Sequence, residues 1–171
     1  MPDNRADRTE LSRLVRAAQR GDTLAMNDLL DQLAPFVGRI CAPIALDEGP
    51  DAVQETLVAV FRSLRSLREP AALHGWVRAI AAREALRLAQ RSARSVPAEL
   101  DTLPSPGDPQ LATDIRNVLS RLSPEHRAVL VLRDVEGLDE QSAARLLGLR
   151  VGTVKSRLHR ARDSFRKAWS Q

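Results

Sequence analysis

Apolar residues recur three and four positions apart along most of this 171-residue chain, and no segment of useful length alternates with a period of two. Leu11, Leu14, Val15 and Ala18 form the first such stripe, which stops at Gly21. This spacing places the four side chains on one face of an α-helix, where they can be buried together. The pattern therefore predicts an all-α fold.

Three more helices are predicted in the first half of the chain. Asp22 is placed to cap the second, which Pro35 kinks or restarts and which the segment 47–50 breaks. Asp51 is placed to cap the third, and the fourth covers about 74–94. The predicted core residues are Ala25, Met26, Leu29, Leu30 and Leu33 in the second helix, Val53, Leu57, Val60, Phe61 and Leu64 in the third, and Trp76, Val77, Ile80, Ala81 and Leu88 in the fourth.

The character of the chain changes over 95–112. Prolines and a glycine recur there, and its charged residues are all acidic. The breakers are Pro97, Pro104, Pro106, Gly107 and Pro109, and the acids are Glu99, Asp101 and Asp108. We predict a flexible acidic linker between two small helical domains, 9–94 and 113–171.

Two helices are predicted at the start of the second domain. The first carries a stripe of Ile115, Val118, Leu119 and Leu122. Ser123 is placed to cap the next helix, with Pro124 and Glu125 in its first turn, and Gly137 closes it. Together with the helix pair that follows, these give a four-helix second domain.

The helix pair at the end of the chain has a basic second member. Asp139 is placed to cap a short helix that Gly148 ends. The helix after it carries an apolar stripe of Val154, Leu158, Ala161 and Phe165 and a basic surface of Lys155, Arg157, Arg160 and Arg162. Two helices joined by a glycine turn, the second basic, are typical of a helix-turn-helix that enters the DNA major groove. The alternative is an exposed amphipathic helix whose charges are solvated.

A row of arginines on the predicted fourth helix is a second candidate nucleic-acid surface. The row is Arg83, Arg87 and Arg91, extended by Arg78 and Arg94. Such rows can be solvated faces, but few acids compensate this one and Trp76 lies close by, although a lone Trp at this spacing is more often a core residue. A carboxylate beside DNA would be unfavourable. Glu84 therefore either faces away from the duplex, where it can pair with Arg87 or Arg91, or makes DNA recognition by this helix unusual.

Composition narrows the function classes. The formal net charge is +4 and the isoelectric point is about 10.4, which suits a polyanionic partner without requiring one. Cys41 is the single cysteine, and His74, His126 and His159 lack metal-ligand spacing, so we predict no metal site and no cofactor. The first residues lack a signal-peptide core, which predicts a cytoplasmic protein.

Five motifs occur in order along the chain. They are DAVQETL at 51–57, GWVRAIAAR at 75–83, LSPE at 122–125, VEGL at 135–138 and GTVKSRLHRAR at 152–162. Together they resemble RNA polymerase sigma factors of the extracytoplasmic-function type, from about residue 9 to residue 167. The family usually has Ser, Thr or Asp where Arg150 stands, as the cap of the recognition helix, and Phe or Leu where Ala52 stands.

The resemblance implies a transcription initiation factor with a region 2-like bundle and a region 4-like helix-turn-helix. The implied polymerase-binding residues are Asp51, Gln54, Glu55 and Arg62. The implied −10 residues are Trp76, Arg78, Arg83, Arg87 and Arg91, with the loop 67–75. The implied −35 residues are Arg150, Thr153, Lys155, Ser156, Arg157 and Arg160. The implied partners are core RNA polymerase, through the β′ clamp helices and the β flap, promoter DNA and an anti-sigma factor.

Two other classes of protein are alternatives to a sigma factor. A stand-alone helix-turn-helix repressor or activator would bind duplex DNA as a dimer, but it would have no use for the motif at 51–57. A helical enzyme would need clustered His, Cys or carboxylate groups or a glycine-rich phosphate loop, and the sequence offers none of these. We therefore expect a sigma factor and not an enzyme.

Overall fold

The computed structural model describes residues 4–94 and 109–170, and within those ranges it contains eight α-helices and no strand. The helices are α1 (Asn4–Gln19), α2 (Thr23–Ala45), α3 (Gly49–Ser63), α4 (Leu73–Arg94), α5 (Pro109–Ser120), α6 (Pro124–Leu130), α7 (Glu140–Leu147) and α8 (Val151–Trp169). Single turns of 3₁₀-helix lie at Leu46–Glu48, Leu64–Ser66 and Pro70–Ala72, and a π-helical turn lies at Val131–Val135. The all-α prediction is confirmed.

The first bundle contains α1 to α4, with α2 at its centre. The carboxylate of Asp22 accepts hydrogen bonds from the backbone N–H groups of Leu24 (3.0 Å) and Ala25 (3.1 Å), which confirms the predicted cap of α2. Fully buried side chains fill the space between the helices: Val15, Leu29, Val37, Ile40, Val60, Leu64, Leu73 and Val77. Trp76 packs against this core and is partly buried.

One local prediction in the first bundle is wrong and another is narrowed. Pro35 was predicted to kink or restart α2; it does not restart the helix, which continues to Ala45, because the buried residues Leu33 and Val37 on either side hold it in the core. Asp51 is not the cap of α3: that helix begins at Gly49 with Pro50 in its first turn, and Asp51 lies in the same turn.

Helix α2 belongs to a markedly apolar stretch. An 18-residue window within Thr23–Ser66 has a mean hydropathy of 1.3, so this stretch is long and apolar enough to cross a membrane. The core helix of a soluble protein can be equally long and apolar. Leu29, Val37 and Ile40 of this stretch are fully buried in the bundle, so packing within the protein accounts for their apolar character.

The second bundle contains α5 to α8, and its predicted caps are confirmed. Ser123 accepts a hydrogen bond from the backbone N–H of His126 (3.2 Å), and Asp139 accepts one from that of Ser142 (2.7 Å). Gly148 ends α7 in the left-handed region, at φ 66°. The buried stripe of α8 comprises Val154, Leu158 and Ala161, as its spacing predicts, and Phe165 is partly buried and stacks on Trp169.

Helix α5 begins earlier than expected. Pro109 is its first residue, inside the segment 95–112 that was predicted to be linker, because proline is tolerated in the first helical turn, where its missing N–H costs nothing. The rest of the predicted linker, 95–108, lies outside the described residues. Ile115 was expected among the buried stripe of α5, but it is 37% exposed at the rim of an apolar cleft.

The two bundles pack against each other. Their buried apolar side chains form one continuous cluster. The buried guanidinium of Arg127 in α6 donates from Nε to the carbonyl oxygen of Ile44 in α2 (2.7 Å), and Arg116 of α5 forms an ion pair with Asp47. This packing decides which faces of the first bundle remain open to solvent.

Candidate nucleic-acid interface

The arginine row of α4 faces outward from the first bundle. Arg83, Arg87 and Arg91 are exposed, while Ala81, Ala85 and Ala89 on the same helix are buried. The small alanines bring the helix close to its neighbours and leave the long cationic side chains outside. The row therefore forms an exposed cationic face on α4, as its spacing predicts.

Glu84 does not oppose the row as an unpaired carboxylate. Its Oε2 accepts hydrogen bonds from Nε (2.9 Å) and Nη2 (2.7 Å) of Arg87. Of the two alternatives left open by the sequence, the structure contains the one in which Glu84 pairs with its own helix. This pairing offsets the negative charge of Glu84 at the arginine row.

Part of the α4 surface is covered by the second bundle. The Nε of Arg78 donates to Oε2 of Glu136 (2.9 Å), and the Nε of Arg83 donates to the carbonyl oxygen of Leu146 (3.0 Å). Further along α4, Gln90 donates to Oε1 of Glu125 (2.7 Å). These contacts could not be predicted from local sequence patterns, because each partner lies at least 35 residues away along the chain.

The loop before α4 is held by α1. The side-chain amide of Gln19 donates to the carbonyl oxygens of Leu64 (2.9 Å) and Leu67 (2.7 Å). The segment 67–75 then contains the turn Pro70–Ala72 and the first residues of α4. Anchored at one end by Gln19, this loop lies beside the start of the arginine-bearing helix.

Helices α7 and α8 form the helix-turn-helix that the sequence predicts. At the end of α7 the backbone N–H of Leu149 donates to the carbonyl oxygen of Ala144 (2.9 Å), which closes the turn around Gly148. At the start of α7, the pKa of Asp139 is lowered, mainly because the backbone N–H of Ser142 donates a hydrogen bond that stabilises the carboxylate. The turn therefore fixes the direction in which α8 leaves α7.

Most of the predicted groove-reading side chains of α8 lie on its outer face. Arg150, Lys155, Ser156 and Arg160 are exposed, and Thr153 and Arg157 are half-buried. The Nζ of Lys155 lies 3.4 Å from a carboxylate oxygen of Glu140 in α7, so α7 holds the Lys155 side chain. Burial lowers the pKa of His126 in α6, and the nearby charge of Arg157 adds to this shift.

The start of α8 lacks a side-chain cap. Arg150 has the extended backbone of a capping residue, with φ −74° and ψ 146°, but its side chain makes no capping hydrogen bond. We predict that Arg150→Ser stabilises the second bundle by about 1 kcal/mol, because a serine oxygen can accept from the free N–H groups of the first turn. Urea unfolding followed by circular dichroism measures the change.

The control for this prediction is Arg150→Ala, which removes the same cation but adds no acceptor. We expect alanine to give no gain in the free energy of unfolding. If serine and alanine have the same effect, the missing cap does not limit the stability of α8.

A second exposed surface lies on α3. Asp51, Gln54, Glu55 and Arg62, which the sequence pattern singles out, are all exposed, whereas Ala52, Thr56 and Val60 on the opposite face are fully buried. The hydroxyl of Thr56 is satisfied by the carbonyl oxygen of Ala52 (2.7 Å). The outer face of α3 therefore presents charged and amide side chains to solvent.

Phe61 was predicted to be a core residue, and that prediction is wrong. Its side chain is 57% exposed, because the core stripe of α3 is completed by Val60 and Leu64, and Phe61 lies at the edge of this stripe. Val58, one turn before it, is 42% exposed. Both lie beside the Gln54 face, so sequence reasoning missed two apolar members of this surface. The sequence does indicate that Phe61 is exposed, because Val53, Leu57, Val60 and Leu64 already form a complete apolar stripe without it.

Comparison with known proteins points to one family. The family described as Sigma-70, region 4 matches residues 112–164, which lie in the second bundle. The ECF RNA polymerase sigma factor SigE of Mycolicibacterium smegmatis is 32% identical over 163 residues, which cover 85% of this chain and 63% of that protein. The ECF RNA polymerase sigma-E factor of Escherichia coli K12 is 28% identical over 175 residues, with 89% and 90% covered.

Two solved structures have the same fold. One is CnrH in complex with the cytosolic domain of CnrY, with a TM-score of 0.62 at 23% identity over 91% of this chain and 94% of that one. The other is the sigma factor RpoE in complex with the anti-sigma factor NepR from Bartonella quintana, with a TM-score of 0.64 at 23% identity over 84% and 96%. These likenesses establish the arrangement of helices.

Proposed function

We propose that the chain is an RNA polymerase sigma factor of the extracytoplasmic-function type, which binds core RNA polymerase and directs it to promoters with a −10 and a −35 element. The first bundle, 9–94, would bind the polymerase and the −10 element, and the second, from about 109, the −35 element. The chain would then be an initiation subunit and not an enzyme. It would act in the cytoplasm, where the polymerase and the chromosome are found.

The observation that carries the proposal is the exposed face of α3. Gln54 and Glu55 are fully available there, with Val58 and Phe61 beside them, and the bundle itself makes no use of this surface. A mixed polar and apolar patch of this kind marks a protein interface. A stand-alone repressor would need only the helix-turn-helix, so we assign the α3 face to the β′ clamp helices.

Two DNA contacts on one chain support each other. Once the first bundle is held at the −10 element, the second is confined near the −35 element, so neither contact needs to be tight alone. Arg83, Arg87 and Arg91 would follow the −10 strand, with Arg78 and Trp76 at the start of the same helix. Residues 150–160 would enter the −35 major groove.

The apolar cleft of the second bundle is our proposed site for a protein partner. It is lined by apolar side chains of α5, the π-helical turn and α8, including Ile115, Leu119, Val135, Leu158 and Phe165. Val135 is 60% exposed there. We assign this cleft to the β flap. The related proteins CnrH and RpoE are each bound by a second protein in their structures, and we propose that an anti-sigma factor regulates this chain too.

Reconstitution with core RNA polymerase tests the function. We expect the complex to start transcription on genomic DNA fragments at sites that share −10 and −35 sequences, while core enzyme alone does not. A chain that fails to bind core polymerase but binds duplex DNA as a dimer would be a repressor or activator instead.

Glu55→Lys is predicted to weaken binding to core polymerase by at least about tenfold, or ~1.4 kcal/mol. The side chain is exposed, so the reversal leaves the fold nearly unchanged while it places a cation in the docking face. Fluorescence anisotropy of labelled chain against core enzyme measures the affinity, and thermal unfolding checks the fold.

Glu10→Lys is the matched control for this variant. Glu10 is 77% exposed on α1 and pairs only loosely with Arg13, at 3.7 Å. Equal affinities for wild type, Glu10→Lys and Glu55→Lys would remove the α3 face from the polymerase interface.

A further inference from the structure

One side chain of the second bundle is inserted into a cluster of cations on the first. Glu136 lies directly after the π-helical turn, and its side chain is only 4% exposed. Its Oε2 accepts from Nε of Arg78 at 2.9 Å, and its Oε1 lies 3.5 Å from Nε of Arg39. A single carboxylate therefore bridges two arginines that come from α2 and α4.

Both arginines pack near one aromatic ring, that of Phe36. The guanidinium carbon of Arg39 lies 5.4 Å from the centre of the Phe36 ring, and that of Arg78 lies 5.7 Å from it. His74 packs edge-on against the same ring, at 5.2 Å between ring centres. The first bundle thus builds a fixed two-arginine cradle whose four members all belong to α2 and α4.

The cradle is electropositive without Glu136. Burial, followed by the charges of Arg78 and Arg39, lowers the pKa of His74, which is the direction expected beside two cations. Two guanidinium groups that converge on one point are suited to the oxygens of a carboxylate or a phosphate. Arg39 had no role in the sequence interpretation, and the structure places it beside the predicted −10 helix.

Glu136 is rigidly presented to this cradle. Its backbone N–H donates to the carbonyl oxygen of Val131 (2.8 Å), and the N–H of Leu138 donates to that of Leu132 (3.0 Å). Between them Gly137 has φ 68°, a conformation that other residues rarely adopt. The turn therefore fixes the backbone from which the Glu136 side chain reaches the arginines.

We propose that Arg39 and Arg78 form a binding site for a backbone phosphate of single-stranded −10 DNA, and that Glu136 occupies this site when the two bundles are packed together. The second bundle then acts as a competitor of the promoter within the same chain. This inference rests on the proposed function, because it uses α4 as the −10 helix. Arg83 reinforces it, since the same packing engages its Nε with Leu146.

The test measures binding of the full-length chain, without polymerase, to a fluorescein-labelled single-stranded DNA of mixed sequence. Phosphate contacts do not depend on sequence, so a mixed probe reports them. Glu136→Gln is expected to tighten binding about tenfold, because it raises the fraction of chain whose cradle is free. Adding Arg39→Gln to that variant should abolish the gain and lower the slope of log affinity against log salt by about one.

Asp114→Asn is the matched control. It removes one negative charge from the second bundle, and its carboxylate accepts a hydrogen bond from Gln110 on its own helix. If Asp114→Asn and Glu136→Gln tighten binding equally, the effect is one of net charge and the proposal is overturned. It is also overturned if Glu136→Gln leaves the affinity unchanged.

A measurement on the unaltered chain covers the case in which Glu136→Gln does not fold. In small-angle neutron scattering at the contrast match point of the DNA, saturating single-stranded DNA should increase the radius of gyration of the wild-type protein, because the phosphate displaces Glu136 and loosens the packing of the second bundle. An unchanged radius of gyration of the protein with DNA bound would contradict the competition. Neither assay contains polymerase, so promoter-directed transcription can succeed or fail independently of this result.

Discussion

Replacing Arg127 by leucine is expected to lower the free energy of unfolding by about 3 kcal/mol. Arg127 is 6% exposed, and its guanidinium donates to three carbonyl oxygens: Nε to Ile44 (2.7 Å), and Nη1 to Leu122 (2.6 Å) and Leu119 (3.4 Å). Leucine fills much of the volume but leaves all three acceptors without this donor. Each hydrogen bond from a charged group contributes about 1.5–3 kcal/mol. Leucine also removes the free-energy cost of burying a charge, which offsets part of this loss.

The environment of Arg127 shows both sides of this balance. Burial lowers its pKa, as expected for a cation removed from water, and the charges of Glu125 and Asp47 partly oppose that shift. Arg127→Lys keeps the charge but replaces the planar fork by a single ammonium group, so we expect an intermediate loss. The exposed Arg68→Leu is the control, with an expected change within about 0.5 kcal/mol.

Urea unfolding of the full-length variants, followed by circular dichroism, measures these differences. If Arg127→Leu is as stable as the Arg68 variant, the three carbonyl oxygens find other donors and Arg127 does not hold the bundles together. If lysine is as damaging as leucine, the geometry of the guanidinium group, and not its charge, is what the site requires.

Local signals in the sequence predicted much of the helical framework. Asp22, Ser123 and Asp139 cap helices as expected, and Gly148 ends α7 with positive φ. Each of these features depends on a few neighbouring residues, because a cap needs only one side-chain oxygen and the first turn of its own helix. Such features can be predicted from the chain itself.

Predictions were wrong or were narrowed where packing or position overrides a local preference. Proline often interrupts a helix, but buried neighbours of Pro35 keep α2 continuous. Pro109 looked like part of a linker and instead begins α5. Phe61 was assigned to the core because it is apolar, although other side chains already complete the stripe. In each case the residue type was ambiguous, and its surroundings decided the outcome.

The contacts between the bundles could not be predicted from spacing. Arg78 and Glu136 are 58 positions apart, and Arg127 and Ile44 are 83 apart. Nothing near any of these residues in sequence marks its partner. The sequence therefore predicted which side chains of the first bundle are cationic and outward-facing, but not that two of them, Arg78 and Arg83, are engaged by the second bundle.

For the helix-turn-helix, the sequence predicts which side chains contact bases, because the position of a residue along α8 determines how far it reaches into the groove. Residues near the start of a recognition helix reach base edges in the major groove, whereas residues further along reach backbone or solvent. Arg157 lies in the first half of α8 and is half-buried beside α6. Arg166 lies near the other end, where it is exposed and pairs with Asp163.

Arg157→Ala in the reconstituted holoenzyme is expected to relax discrimination among −35 sequences by about 1–3 kcal/mol, the contribution of a good bidentate base contact. Arg166→Ala should leave the order of preference unchanged, because a lost phosphate contact weakens all sequences alike. The measurement is binding of holoenzyme to promoters that carry each single-base change in the −35 element, at two salt concentrations.

Arg157→Lys separates the charge of this side chain from its shape. Lysine keeps the cation, so the salt dependence of binding should stay close to that of the wild type. It lacks the planar guanidinium group that can donate to both O6 and N7 of guanine. We therefore expect the lysine variant to lose discrimination while it keeps affinity for non-specific DNA. If Arg157→Ala instead weakens every −35 variant equally and lowers the salt slope by about one, Arg157 is a phosphate contact, and base reading must come from Thr153, Lys155 and Ser156.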